Sequence, residues 1–276
     1  IGENAFYNVA PYSFEVSASH PAFASKDGVL FDKGLKTLIR FTSGKTGNDG
    51  YTIPSTVTSI APFAFGSYHK YGGTLSIPSS LTNIPLDVFN NANTGWDHYE
   101  VASGNPAYSS EGGVLYNKDK SVLIKCSDDA AGAFSIPSTV TRIENGAFRN
   151  RAYLTGTLTI PDSVEEIGDY AFYGCYNLDS LVLGKGIREI GNQAFGNTKV
   201  FAESGRLDLP EGLEKIGHYA FGYDGYSSVT LPSTLEWIGA SAMPSWELSG
   251  VIEIPASITA MGPGVFGTSN NLSGYQ

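Results

Sequence analysis

The sequence predicts an α/β solenoid of units about 23 residues long, each a short parallel strand followed by a turn or short helix. Three observations predict it. An aromatic, or in one case methionine, falls 11 positions after a proline or its stand-in in eight pairs: Pro54/Phe65, Pro78/Phe89, Pro137/Phe148, Pro161/Phe172, Gly184/Phe195, Pro210/Phe221, Pro232/Met243 and Pro255/Phe266. Apolar residues recur at fixed offsets between the two markers. The zero positions themselves lie 24, 59, 24, 23, 26, 22 and 23 residues apart. Fixed internal spacing means one supersecondary unit stacked along an axis, each unit touching mainly its neighbours.

Counting from the proline, positions −3 and −1 are apolar or aromatic and −2 is mostly small and polar (Thr52, Ser76, Ser135, Thr159, Val182, Asp208, Thr230, Glu253). That alternation is a short strand with one buried face. Proline cannot donate to the next ladder bond, so it ends the strand. Position +3 is always aliphatic, and +6 is Ile in seven units and Met261 in the last. Position +7 is glycine in five units, +10 is Ala or Val and +11 the aromatic. The +7 to +11 spacing fits one helical turn that tucks Ala and Phe beneath the strand. The interval of 59 holds one unit plus an insertion, and the insertion occurs twice: the segment from Val16 matches that from Val101 at a displacement of 85. Each copy reads as a β-hairpin, Gly28 to Phe31 and Leu38 to Phe41 around Asp32-Lys33-Gly34, with its equivalent around Asn117-Lys118-Asp119. The insertions occupy about 16–50 and 101–133 of a single array, 1–276. That array reads as cut at both ends: Ile1-Gly2 through Ala5-Phe6 matches Ile167-Gly168 through Ala171-Phe172, and Asn271-Leu272 matches the strand start at Asn177-Leu178.

The Ile-Pro-x-x-Val-x-x-Ile-Gly-x-x-Ala-Phe-x-x-Cys run of Ile160 to Cys175, with the Asn-Pro…Gly-Val-Leu-Tyr-Asn-Lys…Leu-Ile-Lys element at 105–125, resembles the BspA-type leucine-rich repeat of bacterial surface proteins. The resemblance spans essentially the whole chain. It implies a right-handed leucine-rich-repeat superhelix, export to the bacterial cell surface, and adhesion to host or bacterial proteins. It brings no catalytic residues. The asparagine ladder of other leucine-rich repeats is expected to be missing, its place taken by the proline turn.

The net charge of −10 argues against nucleic acid and against docking on an anionic bilayer, both of which need clustered Lys and Arg. No stretch approaches the roughly 18–20 apolar residues of a membrane span. Cys126 and Cys175 sit about two units apart, too far for a disulfide, and read as small buried residues. His20, His69, His98 and His218 show no metal-ligand spacing, His218 falling at the variable surface position +8. Gly44-Lys45-Thr46 lacks the glycine a phosphate loop needs where Ile39 stands. Asp128-Asp129 and Glu165-Glu166 read as solvated charges. No cofactor, metal site or catalytic constellation is expected.

One pattern outlasts this elimination. The segments following the +11 aromatic carry Tyr68, Tyr71, Trp96, Tyr99, Tyr173, Tyr176, Tyr223, Tyr226 and Trp246, at equivalent places that should align along one edge. Tyr and Trp on a rigid scaffold give large contact area at small entropic cost, which makes this edge a recognition surface for an extracellular protein or glycan. The competing reading is that these rings cap the core, polar tips wet. The corresponding functions are an adhesion module and an architectural stalk without a ligand. Independently of that choice, Phe172→Ala is expected to cost about 3–5 kcal/mol in chemical denaturation, because it opens a cavity in the aromatic column.

Overall fold

The structure, a computed structural model, describes residues 11–45, 49–65, 71–89, 95–198, 200, 205–222, 225–245, 247–267 and the backbone of 272–275. It comprises two compact units, Ile1–Asp129 and Ala130–Gln276, each of which is a leucine-rich-repeat type of β-solenoid.

In the first unit the predicted −3 to −1 strands, Tyr51–Thr52 and Thr74–Ile77, pair in parallel, and His98–Val101 extends the ladder with Tyr99 opposite Leu75. Both inserted hairpins are present and each gains a third strand. Phe23–Lys26, Val29–Asp32 and Thr37–Arg40 run antiparallel in order, as do Tyr108–Glu111, Val114–Asn117 and Val122–Lys125. In the second unit Thr157–Thr159 pairs with Ser180–Val182, Arg206–Asp208 with Ser228–Thr230, and Gly250–Ile252 with Leu272–Tyr275, all parallel.

A second ladder, absent from the sequence reading, runs through positions +5 and +6. Arg142–Ile143, Glu166–Ile167, Glu189–Ile190, Lys215–Ile216, Trp237–Ile238 and Ala260–Met261 pair in parallel, one from each turn. The isoleucines point inward and are buried; Met261 of the last turn is exposed. All eight +10 and +11 residues are buried. Their rings form a column, with Phe148–Phe172, Phe172–Phe195 and Phe195–Phe221 stacked at 4.8, 5.3 and 5.5 Å between centroids. Such contacts contribute about 0.5–1.5 kcal/mol each beyond area burial.

The expected helical turn at +7 to +11 forms in the Pro78 unit, as the 3-10 segment Leu86–Phe89, but not in the other seven; among the described residues the other helical element is the 3-10 segment Ser43–Lys45. The backbone explains this. Position +9 lies in the left-handed region in seven turns: Phe63, Gly146, Tyr170, Gln193, Tyr219, Ser241 and Gly264 have φ of 48–63°. Alternate amides then serve different partners. Ala171 and Tyr173 donate three residues back, to Gly168 and Tyr170, whereas Tyr170, Phe172 and Gly174 donate to Asn192, Ala194 and Gly196 of the next turn. A helix would keep all of these bonds within one turn; here half of them join turns. At the other corner each zero-position carbonyl accepts from the +3 amide, as in Pro161 to Val164 at 3.1 Å, closing a β-turn after the strand.

Neighbouring turns approach closely at +7. A Cβ placed on Gly168, Gly191, Gly217 or Gly239 would lie 2.5–2.6 Å from the +8 backbone nitrogen of the preceding turn. That +8 residue also carries a side-chain ladder of mixed composition, at a different place from the proline turn and not foreseen in the sequence. Asn145 Oδ1 accepts from Asp169 N at 2.7 Å, Asp169 Oδ1 from Asn192 N at 2.6 Å, Asn192 Oδ1 from His218 N at 2.8 Å, and His218 Nδ1 from Ala240 N at 2.8 Å. His218 is exposed at this variable position, as expected, and is in addition the last rung of a side-chain ladder. A second column, of hydroxyls at +2, donates to the +3 carbonyl one turn back, from Ser80 to Val57, Ser163 to Val140, Thr234 to Leu213 and Ser257 to Leu235.

Two substitutions test these columns. Gly217→Ala is expected to destabilise by about 1–3 kcal/mol, as overpacking against backbone does. The control Gly104→Ala, whose Cβ would meet its nearest atom at 3.9 Å, is expected to stay within about 0.5 kcal/mol of the parent in urea unfolding. His218→Asn keeps the acceptor and is expected to be nearly neutral, while His218→Ala should lose about 0.5–1.5 kcal/mol for one rung.

Candidate functional site

The aromatic segments do not share one environment. Tyr71, Trp96, Tyr99 and Tyr226 lie in the core, all at 2% exposure or less. Tyr71 stacks on Trp96 at 5.1 Å, both pack against Phe41, and the Tyr71 hydroxyl donates to Phe65 O. Tyr99 packs edge-on to Phe89. Their place on a recognition edge is therefore corrected: these rings fill the interior. The physical reason is a further inward position six or seven residues before the proline. Leu154, Leu178 and Leu248 occupy it with aliphatic side chains, and all three are buried. Tyr68, Tyr223 and Trp246 lie outside the described residues.

Tyr173 and Tyr176 are brought together, in a trough of about 580 Å³ on the second unit. Three consecutive turns build it. Position +9 supplies Gln193 and Tyr219 to its lining, and +12 supplies Tyr173, Gly196 and Gly222; Tyr170, the +9 residue of the first of these turns, lies behind Tyr173. Tyr176 and Tyr219 are 50% and 46% exposed. Gly196 makes the floor: a Cβ there would meet Tyr173 Cδ2 at 2.9 Å, so the tyrosine ring lies against bare backbone. Gln193 Nε2 donates to the Tyr170 hydroxyl at 3.0 Å, and Tyr170 meets Tyr173 edge-on at 5.8 Å. Arg149 packs on the same two rings, its guanidinium 4.5 Å from the Tyr170 ring centre and 5.3 Å from that of Tyr173. Burial pushes the Arg149 pKa down and the two tyrosines oppose that shift, so the group remains a cation. Asn197 and Thr198 complete the wall. Sequence reasoning missed Tyr170, Gln193 and Tyr219; their signal is a large side chain at a position where other turns carry Gly146 and Gly264.

The +5 face is charged, and its charges are paired along the column. Arg142 Nη1 lies 2.8 Å from Glu166 and Lys215 Nζ 2.6 Å from Glu189, while at the adjacent position +4 Arg188 Nη1 lies 2.7 Å from Glu214. Glu166 is therefore an ion-pair partner, not a freely solvated charge, and Asp129 meets His98 at 3.3 Å. Cys126 and Cys175 are buried thiols, Cys175 donating to Phe148 O. Among the described residues no cluster of three or more His, Cys, Asp or Glu is placed to hold a metal ion, and no helix is long and apolar enough to cross a membrane.

Comparison with known proteins places this architecture. Solved structures with the same fold include the pneumococcal vaccine antigen PcpA, at 15% identity and a TM-score of 0.51, covering 86% of this chain and 87% of that one. A leucine-rich repeat protein from Eubacterium ventriosum matches at 21% identity and 0.50, covering 93% and 94%. A leucine-rich cell surface protein from Faecalibacterium prausnitzii matches at 23% and 0.53; 87% of this chain is covered, and it spans 60% of that longer protein. No curated protein matches significantly. The BspA-type leucine rich repeat region matches in six copies over residues 44–98, 127–203 and 201–275, well over half of the sequence, and the chain belongs to that family.

Proposed function

We propose that the chain is a non-catalytic binding module displayed at the bacterial cell surface, and that it recognises an extracellular protein or glycan through the tyrosine trough. The observation that carries this reading is the convergence of Tyr173, Tyr176 and Tyr219 from consecutive turns onto one half-open cavity, with Tyr170 packed edge-on behind Tyr173. Amphipathic rings held by a rigid backbone lose little entropy on contact, which favours recognition. The carboxylates support the absence of catalysis: Glu166, Glu189 and Glu214 are each directed to a neighbouring cation and do not converge as an acid–base pair. Surface display follows the family and the cell-surface protein of the same fold.

Binding of the purified chain to immobilised extracellular-matrix proteins and to a glycan array tests the proposal. A saturable ligand is expected, with affinity at least about tenfold weaker for the Tyr176→Ala/Tyr219→Ala double variant. Both residues are half exposed, so the variant should unfold at the parent temperature. Unchanged affinity in that variant would move recognition elsewhere, and no ligand at all would favour a stalk.

A further inference from the structure

We infer that the trough is a subsite for a neutral pyranose of an oligosaccharide. The inference rests on the reading of the trough as the recognition surface and narrows its ligand to one chemical class. Three features lead there. First, the cavity, about 580 Å³ and half open, lies within the usual range for small-ligand sites and is bounded by more than one turn, so a compact ring can lodge in it while the rest of a chain runs out along the surface. Second, its wall combines ring faces with amides: Tyr173, Tyr176 and Tyr219 against Gln193 and Asn197. A sugar presents the matching surfaces. The C–H face of a pyranose packs on an aromatic face, and each hydroxyl is at once donor and acceptor, as the amide and phenol groups are. Third, among the described lining residues none is charged. Arg149 does not line it, and its guanidinium is stacked on Tyr170 and Tyr173.

That combination disfavours other classes. A phosphate or carboxylate ligand would lose its hydration without a facing counter-charge. A purely apolar ligand would cover the Asn197 amide and the Gln193 carbonyl oxygen without offering either a hydrogen bond. Gly196 has a defined part in the fit. Its lack of a side chain lets Tyr173 lie down across the next turn, and a Cβ 2.9 Å from Cδ2 would lift the ring out of position.

Saturation-transfer NMR and calorimetry on the full chain test this, using maltotriose, cellotriose, lactose and N,N′-diacetylchitobiose as probes, with sialyllactose and a uronate trisaccharide beside them. At least one neutral probe is expected to bind saturably, with transfer strongest at ring C–H protons. Affinity should fall about tenfold or more in Tyr176→Ala/Tyr219→Ala and in Gly196→Ala, and stay within about threefold in Tyr176→Phe/Tyr219→Phe, which keeps the stacking faces. The Phe variant also guards against a folding artefact in the others. Absence of binding by every neutral probe up to about 10 mM with the fold intact, or binding of the acidic probes alone, overturns the inference. Matrix proteins that bind through the same tyrosines after enzymatic deglycosylation, with the sugars silent, would overturn the saccharide assignment while leaving the recognition surface standing.

Discussion

Consecutive turns of the second unit meet where a +7 α-carbon sits against the +8 nitrogen of the turn before it, and most of that unit's surface follows from this contact. Glycine is needed at +7 because a Cβ would lie 2.5–2.6 Å from backbone in four of the turns. With the turns this close, a short side-chain acceptor at +8 reaches the next +8 amide, and Asn145, Asp169, Asn192 and His218 all do so. The left-handed residue at +9 then reverses the chain, so that the +9 and +11 amides bond to the following turn while Ala and Phe go inward. The side chains at +9 and +12 leave the surface from a backbone fixed by bonds on both sides. The trough tyrosines are therefore spaced by the same ladder that holds the turns together.

The inward columns were legible in the sequence because each holds one kind of residue at one offset from the proline. What was not legible has particular causes. The inward position ahead of the strand lies seven residues before the proline at Tyr71 and Leu154 but six at Leu178 and Tyr226, so alignment on the proline blurs it. Tyr99 occupies −3 of a turn whose zero residue is Ala102, and without a proline that turn went uncounted. The +8 ladder hides because Asn, Asp and His share an acceptor and nothing else. The second strand has two residues, too few for an alternation to show. Of the trough, the tyrosines at +12 and +15 were readable as outward aromatics; those at +9 were not, because a helical turn was expected where the chain in fact reverses.

The parallel register that stacks like on like in the core does the same on the surface, and there it creates a difficulty. Glu166 stands directly opposite Glu189 in the +5 ladder. Facing like charges are unfavourable. Each is drawn to its other neighbour, Glu166 to Arg142 and Glu189 to Lys215. Exposed pairs of this kind contribute about 0–1 kcal/mol, so their effect is chiefly to remove repulsion from a column the repeat forces together. An acidic chain can in this way carry a face that is locally balanced.

The trough is harder to account for by the fold alone. Position +9 is in the left-handed region in every turn just described, and glycine, as at Gly146 and Gly264, meets that requirement without strain. A bulky residue there costs about 1–2 kcal/mol. Yet Tyr170 and Tyr219 hold φ of 56° and 54°, with Gln193 at 50° between them. Neither tyrosine ring belongs to the buried core, and Tyr219 is nearly half exposed. On the same three turns, +12 passes from Tyr173 to Gly196 and Gly222, which clears the space the rings surround. A repeat selected for stacking has no use for large strained side chains on its outside and vacant ones beside them. Phe63 and Ser241 hold the same conformation outside the trough, so it is the strain at +9 combined with the vacant +12 positions on these turns that supports the proposal of a recognition site there.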